Sequence, residues 1–217
     1  MEISITHVKK KALSALHGKW GKGVLLTFIL FFITAIVPAI IEIMVSGGFS
    51  NWLSQERVPV AADVINIVIA IILIPLSVSA YWFFLSIARM ERPLVSEVFG
   101  VYKDGKASLQ LILVSLLMGI FVFLWSLLLI IPGIIKSLSY SQTFFIMRDH
   151  PEYSPLQAIS ESKRRMKGFK WKYFLMNLSF IGWGILCVFT MGIGFLWLAP
   201  YISTSMAAFY NELIEVE

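Results

Sequence analysis

The chain has 217 residues, of which 58% are hydrophobic and only 14% charged, with a formal net charge of +5 and a mean hydropathy of +0.81. Soluble domains carry roughly 25% charged residues, so a water-soluble core is excluded, and no polar stretch is long enough for a second domain. Residues 1–217 read as a single membrane-embedded domain. In a soluble chain this basic balance would point to nucleic acid; here the cations flank apolar runs, as the excess of Lys and Arg on cytoplasmic loops does, and no nucleic-acid partner is expected.

In chain order, Ile3–Leu16 comes first, with Ile5, Val8, Ala12 and Leu16 apolar and Lys9, Lys10 and Lys11 basic. The apolar run after it is longer than a signal-peptide core of roughly 7–15 residues and is read as retained. It forms a first span, Val24–Ser46, followed by a polar connection, Gly47–Pro59, and a second span, Ala61–Ile87. Met90–Lys106 carries Arg92, Lys103 and Lys106 and is read as cytoplasmic, and a third span covers Ala107–Ile131. Pro132-Gly133 then interrupts the run, as a kink or a turn. A kink would leave Lys163, Arg164, Arg165, Lys167 and Lys170 outside, against the positive-inside rule. A turn makes Ile134–Met147 a short fourth span and keeps them inside, so the turn is preferred. Tyr173–Met191 and Phe195–Tyr210 complete the set, joined at Gly192 and Gly194.

Continuous apolar runs exclude barrel strands, which alternate. The expected fold is all-α: a polytopic membrane bundle of about six helices in three hairpins, both termini cytoplasmic, with cytoplasmic amphipathic segments. Of the basic residues only Arg57 and Lys136 fall on the outer side. That asymmetry places the basic connectors on the cytoplasmic side.

The hairpins look like three copies of one unit. The second helix of each has a proline, spaced serines and an aromatic pair. Pro75 precedes Ser77, Ser79 and Phe83-Phe84; Pro132 precedes Ser137, Ser139, Ser141 and Phe144-Phe145; Pro200 precedes Ser203, Ser205 and Phe209-Tyr210. Charged exits follow at Arg89, Arg148 and Glu212. Small hydroxylated residues suit close helix packing; a polar pathway lined by Ser139 and Ser203 is the second reading.

Ser154-Pro155 is a helix start, with Ser154 as N-cap and Pro155 at the first position. Leu156, Ile159 and Met166 form an apolar stripe opposite Glu161, Lys163, Arg164 and Arg165. Together with Lys167, Lys170 and Trp171, this basic helix is the candidate contact for anionic inner-leaflet lipid; simple anchoring of the bundle is the plainer alternative.

Catalytic chemistry is scarce. His7, His17 and His150 lack metal-ligand spacing, Cys187 is alone, and no nucleotide or nucleophile motif occurs. No catalytic residue, cofactor or metal is expected, and Arg148-Asp149-His150-Pro151-Glu152 is read as a helix-ending polar cap. Glu42 and Lys136, with Asp63 marginal, are the ionisable residues within spans, functional candidates by default; Glu42 and Lys136 could pair and lock the first hairpin to the second.

The stretch Ile131-Pro132-Gly133-Ile134-Ile135-Lys136, Ser139-Tyr140, Ala158, Met166-Lys167-Gly168, Lys170-Trp171 and Phe174 resembles an uncharacterised bacterial membrane family, domain of unknown function 975. Leu178-Ser179-Phe180-Ile181-Gly182-Trp183, Gly192-Ile193-Gly194-Phe195-Leu196-Trp197, Pro200-Tyr201 and Phe209-Tyr210 look like its pattern too. The likeness is strong over the last half and loose over the first. It implies a polytopic inner-membrane protein and brings no activity. The chain is also distantly similar to membrane regions of some glycerophosphodiester phosphodiesterases, without their enzyme domain. The expectation is a non-enzymatic accessory, envelope or lipid-interacting factor, with a membrane-protein partner as an option; a small transporter or lipid-handling protein is the alternative.

Overall fold

The structure, a computed structural model, describes residues 3–54 and 60–216. Arg57, read above as outer, and Glu217 lie outside the described residues. The fold is all-α, with no strand among the described residues.

Helix α1 (Ile5–Leu16) precedes α2 (Trp20–Phe31), a π-helical turn (Phe32–Ile36) and α3 (Val37–Val45), which together make one continuous span, Trp20–Val45. The π turn sits where Pro38 needs it. Proline lacks an N–H and crowds the carbonyl four residues back, and an added residue per turn relieves that clash. The Thr34 hydroxyl donates to the Leu30 carbonyl at 2.7 Å in the same turn. After the short α4 (Phe49–Ser54), helix α5 (Val60–Ala88) returns, with Pro75 inside it. The next connection folds back as a 3₁₀ segment, Val95–Lys103, along α5, burying Val98 and donating the Tyr102 hydroxyl to the Ile72 carbonyl at 2.8 Å.

Helix α6 (Gly105–Leu128) starts at Asp104, whose carboxylate caps the N–H groups of Lys106 and Ala107. Leu129 is extended, at φ −163° and ψ 146°, and α7 (Ile130–Tyr140) runs back antiparallel. The interruption is therefore a turn, centred three residues before Pro132. Proline is tolerated in a helix's first turn, where its missing N–H has no partner anyway. Gly133 is the point of contact: a Cβ there would overlap the Ser126 hydroxyl of α6.

The fourth span, read from sequence over Ile134–Met147, is interrupted: α7 ends at Tyr140 and α8 (Thr143–Asp149) starts after a break at Ser141–Gln142. The cause is tertiary. Ser162 from α9 (Pro155–Arg165) donates to the Ser139 carbonyl at 2.9 Å and accepts from the Gln142 N–H at 3.1 Å. An inserted side chain of this kind opens a helix. Helices α10 (Lys170–Leu178) and α11 (Ile181–Phe189) form the span Lys170–Phe189, and α12 (Phe195–Glu215) closes the chain.

Among the described residues four helices are long and apolar enough to cross a membrane: Trp20–Val45, Val60–Ala88, Gly105–Leu128 and Lys170–Phe189. The α7–α8 limb is interrupted, and α12 carries Ser203, Thr204, Ser205, Asn211 and Glu212. The second limbs of the hairpins meet in the middle. Val78 and Leu85 of α5, Tyr140 and Phe145 of α7–α8, and Ala207 and Tyr210 of α12 share one buried cluster, with the Phe145 and Tyr210 rings stacked at 5.3 Å. The hairpin tips expose large apolar side chains, Ile130 at 76% and Phe189 at 81%, surface that water would disfavour and lipid accepts.

Candidate functional site

The densest polar chemistry lies at the end of the bundle where α5, α8 and α12 finish. Asp149 receives two hydrogen bonds from the Arg89 guanidinium, at 2.7 and 2.6 Å, and one from the Tyr210 hydroxyl at 2.9 Å. Arg89 also donates to Asn211 at 3.2 Å. Arg89 from the first hairpin, Asp149 from the second and Tyr210 and Asn211 from the third thus enter a single network. Burial alone would raise the Asp149 carboxyl, but Arg89 and Tyr210 outweigh it and hold the group below its ordinary range. Beside it, Arg148 donates to the Trp82 carbonyl and the Ser86 hydroxyl and lies 3.7 Å from Glu91.

Asp149 and His150 therefore serve different partners. The His150 ring contacts Glu152 at 3.0 Å and stacks on Tyr153 at 4.6 Å. With every Asp149 contact spent on tying helices together, the run acts as a clasp as well as a helix end. No group of three or more metal-ligating side chains converges among the described residues.

Glu42 and Lys136 do not meet. Glu42 accepts from Trp52 at 2.8 Å and Asn66 at 3.4 Å, all within the first hairpin. Lys136 places its ammonium 4.1 Å from the centre of the Trp125 ring, within the second. Each charge finds its partner locally, so the expected lock between hairpins is absent, and the Arg89–Asp149 clasp ties them instead.

Each serine row divides its work. Ser77, Ser139 and Ser205 donate to the carbonyl four residues back, at 3.2, 2.7 and 2.8 Å. Ser79, Ser137 and Ser203 make no such bond among the described residues and line crevices of about 150, 340 and 320 Å³, the last of which Ser77 lines too. Ser139 is wholly buried at the α9 junction, so it packs, whereas Ser203 faces open space with Thr27, Thr34 and Ser77.

Helix α9 is fixed by a complete capping box between Ser154 and Gln157. Its buried face is Ala158, Ile159, Ser162 and then Met166, packed on protein; Leu156, placed in the apolar stripe from sequence, is 58% exposed. Glu161 bonds Arg164 and Arg165, and their hydrogen bonds and charge, Arg164 foremost and against the opposing effect of burial, bring its carboxyl down to about 2. Arg165 is largely covered, while Lys163, Arg164, Lys167 and Trp171 are exposed and Lys170 half-buried. Helix α1 behaves alike: Val8, Ala12 and Leu16 are buried, Lys11 pairs with Glu212, and Lys9 bonds Ser179 at 3.0 Å over the Phe180 ring.

These features define the class: an all-α membrane helical bundle of three hairpins, clasped at one end. The chain matches the family described as "Protein of unknown function (DUF975)" over residues 1–139 and 127–217. It belongs to that family. That match does not extend to glycerophosphodiester phosphodiesterases, and no curated protein or solved structure matches the chain.

Proposed function

We propose that this is a six-pass protein of the bacterial cytoplasmic membrane, with both termini and the basic connectors inside, that works by binding. It acts as an accessory or envelope factor, held on anionic inner-leaflet lipid and open to a membrane-protein partner. The observation that carries this reading is the docking of α9. Its cap and buried face fix it rigidly to the bundle, while Lys163, Arg164 and Lys167 remain exposed beside Trp171. Each such cation near an anionic surface contributes about 1 kcal/mol.

The test is native mass spectrometry of the protein extracted in mild detergent with phosphatidylglycerol and phosphatidylcholine. The variant carrying Lys163→Glu, Lys167→Glu and Lys170→Glu should lose retained phosphatidylglycerol selectively; equal retention would refute the reading. Orientation has its own test in a Cys187→Ser background. An impermeant maleimide applied to intact cells should label Arg57→Cys and spare Lys163→Cys.

The crevices favour a second reading, a small transporter or lipid-handling protein. It predicts that Ser203→Leu, which fills a crevice, abolishes flux with expression intact. Ser139→Leu tests folding instead, since Ser139 sits in a packed junction.

A further inference from the structure

The crevice of about 340 Å³ lies among all three hairpins. Tyr81 enters it from the first, Ser137 and Ser141 from the second, and Tyr173 and Asn177 from the third. Its remaining walls are Met118, Leu138, Phe144, Phe145 and Met206. The crevice borders the break between α7 and α8, with Ser141 and Phe144 in its wall, where Ser162 inserts between the Ser139 carbonyl and the Gln142 N–H. Gln142, wholly buried beside it, donates to the Ser141 hydroxyl and leaves its own oxygen without a partner among the described residues. Tyr81 also lines the neighbouring crevice with Ser77 and Ser203.

The chemistry of the lining selects its occupant. Hydroxyls and an amide converge at one place inside an otherwise apolar bundle, a composition and size typical of small-molecule sites. Ser141 and Asn177 already donate to the Leu138 and Tyr173 carbonyls, and the Tyr173 hydroxyl lies among Ser141, Gln142 and Asn177. The hydroxyls of Tyr81 and Ser137 are left without a partner among the described residues, which is costly in hydrocarbon. No charged side chain lines the crevice among the described residues, and the ammonium of nearby Lys136 is turned to Trp125. An anionic headgroup would therefore be buried without a counter-charge, which is strongly unfavourable. A wholly water-soluble solute would leave the methionine and phenylalanine walls unmatched. One turn toward the hairpin tip, Ile134 and Ile135 are 46% and 44% exposed, giving an apolar track beyond the polar floor.

We propose that this crevice binds a neutral amphiphile: a small oxygen-bearing headgroup held by Tyr81, Ser137, Tyr173 and Asn177, with a hydrocarbon tail running toward Ile134 and Ile135. Diacylglycerols and isoprenoid alcohols share that chemistry. Its lining includes none of Lys163, Arg164, Lys167 or Lys170, and it takes the opposite class of lipid from the basic face of α9.

The experiment uses the full chain in phosphatidylcholine nanodiscs, exposed in turn to photoreactive diacylglycerol, isoprenol and phosphatidylglycerol, with the labelled peptides mapped. One or both neutral probes should label peptides containing Met118, Phe144 or Met206, and the phosphatidylglycerol probe should not; which neutral probe labels identifies the source. Tyr81→Phe and Tyr173→Phe keep the ring volumes and should each lower labelling about fivefold, as loss of one hydrogen bond does. Asn177→Leu should block it. Because a variant could fail to fold, unlabelled neutral lipid must also compete on the wild-type protein. Labelling of these peptides by phosphatidylglycerol to the same extent, absence of labelling by both neutral probes, or labelling indifferent to both tyrosine changes and to competition, would overturn the proposal. Loss of phosphatidylglycerol retention at α9 with this labelling intact would separate the two lipid readings.

Discussion

Replacing Asp149 with asparagine should loosen the junction of all three hairpins while leaving its shape unchanged. Asp149 accepts three hydrogen bonds, two from Arg89 and one from Tyr210, and the two ionic side chains are 28% and 22% exposed. Exposed pairs contribute up to about 1 kcal/mol, whereas breaking a fully buried one costs about 3–5 kcal/mol. A bidentate pair three-quarters covered falls between these limits, at about 2–3 kcal/mol. For a chain of this size that is about 5–10 °C in melting temperature. The assay is a double-mutant cycle by thermal melting in detergent, with Asp149→Asn, Arg89→Met and the pair. A coupling of about 2 kcal/mol is expected, and one within about 0.5 kcal/mol of zero would refute the clasp. The sign with pH is fixed. Burial raises the Asp149 carboxyl, but its hydrogen bonds and charge partners leave it lowered from an ordinary value of 3.8. The stabilisation is therefore complete above that value and lost as pH falls through the folded-state one. The gap between wild type and Asp149→Asn should hold at neutral and mildly acidic pH and close only below 3.8.

Gly133→Ala should cost about 1–3 kcal/mol by overpacking α7 against α6, and Ser126→Ala in the same chain should recover part of it, since the serine hydroxyl is the nearest atom to the added methyl; thermal melting reads both, and no recovery would contradict the contact. Ser154→Ala removes the cap of α9 and should destabilise that helix by about 1 kcal/mol, seen as faster hydrogen exchange over its first turn with the spans unchanged. The Glu161 carboxyl, brought from 4.5 to about 2, gives α9 a stabilisation present above 4.5 and lost as pH falls toward 2; Glu161→Gln should remove that acid dependence in the exchange rates of α9.

Local signals survived folding and long-range ones did not. The N-cap at Ser154, the antiparallel return at Pro132-Gly133 and the aromatic pairs were legible because each depends on a few neighbouring residues. The break at Ser141–Gln142 was not, because Ser162 comes from another helix. Arg89 and Asp149 are 60 residues apart, and neither position shows a pairing signal beyond being a charged helix exit. The helical stripe placed Ile159 and Met166 correctly but missed Ala158 and Ser162, small residues that the close approach of α9 to the α7–α8 break makes central. The pairing of Glu42 with Lys136 failed because charge and depth alone do not fix rotation about a helix axis. Each side chain took a tryptophan of its own hairpin instead.

The distribution of polar groups accounts for both the stability and the open spaces of the bundle. Thr27, Thr34, Ser77, Ser115, Ser126, Ser139 and Ser205 all donate to the carbonyl four residues back. A hydroxyl satisfied in this way asks nothing of its surroundings and can sit against lipid or a neighbouring helix. The charged groups Arg89, Arg148 and Asp149 are gathered at one end and consumed by one another and by nearby backbone. One serine from each second limb, Ser79, Ser137 and Ser203, makes no bond to its own helix among the described residues and lines a crevice, as the back-bonded Thr27, Thr34 and Ser77 also do beside Ser203. If close packing alone had placed the serines, these three would be expected to bond back like their neighbours two residues away. Their exemption, repeated once per hairpin, leaves each second limb with one hydroxyl not satisfied by its own helix and available at a crevice wall.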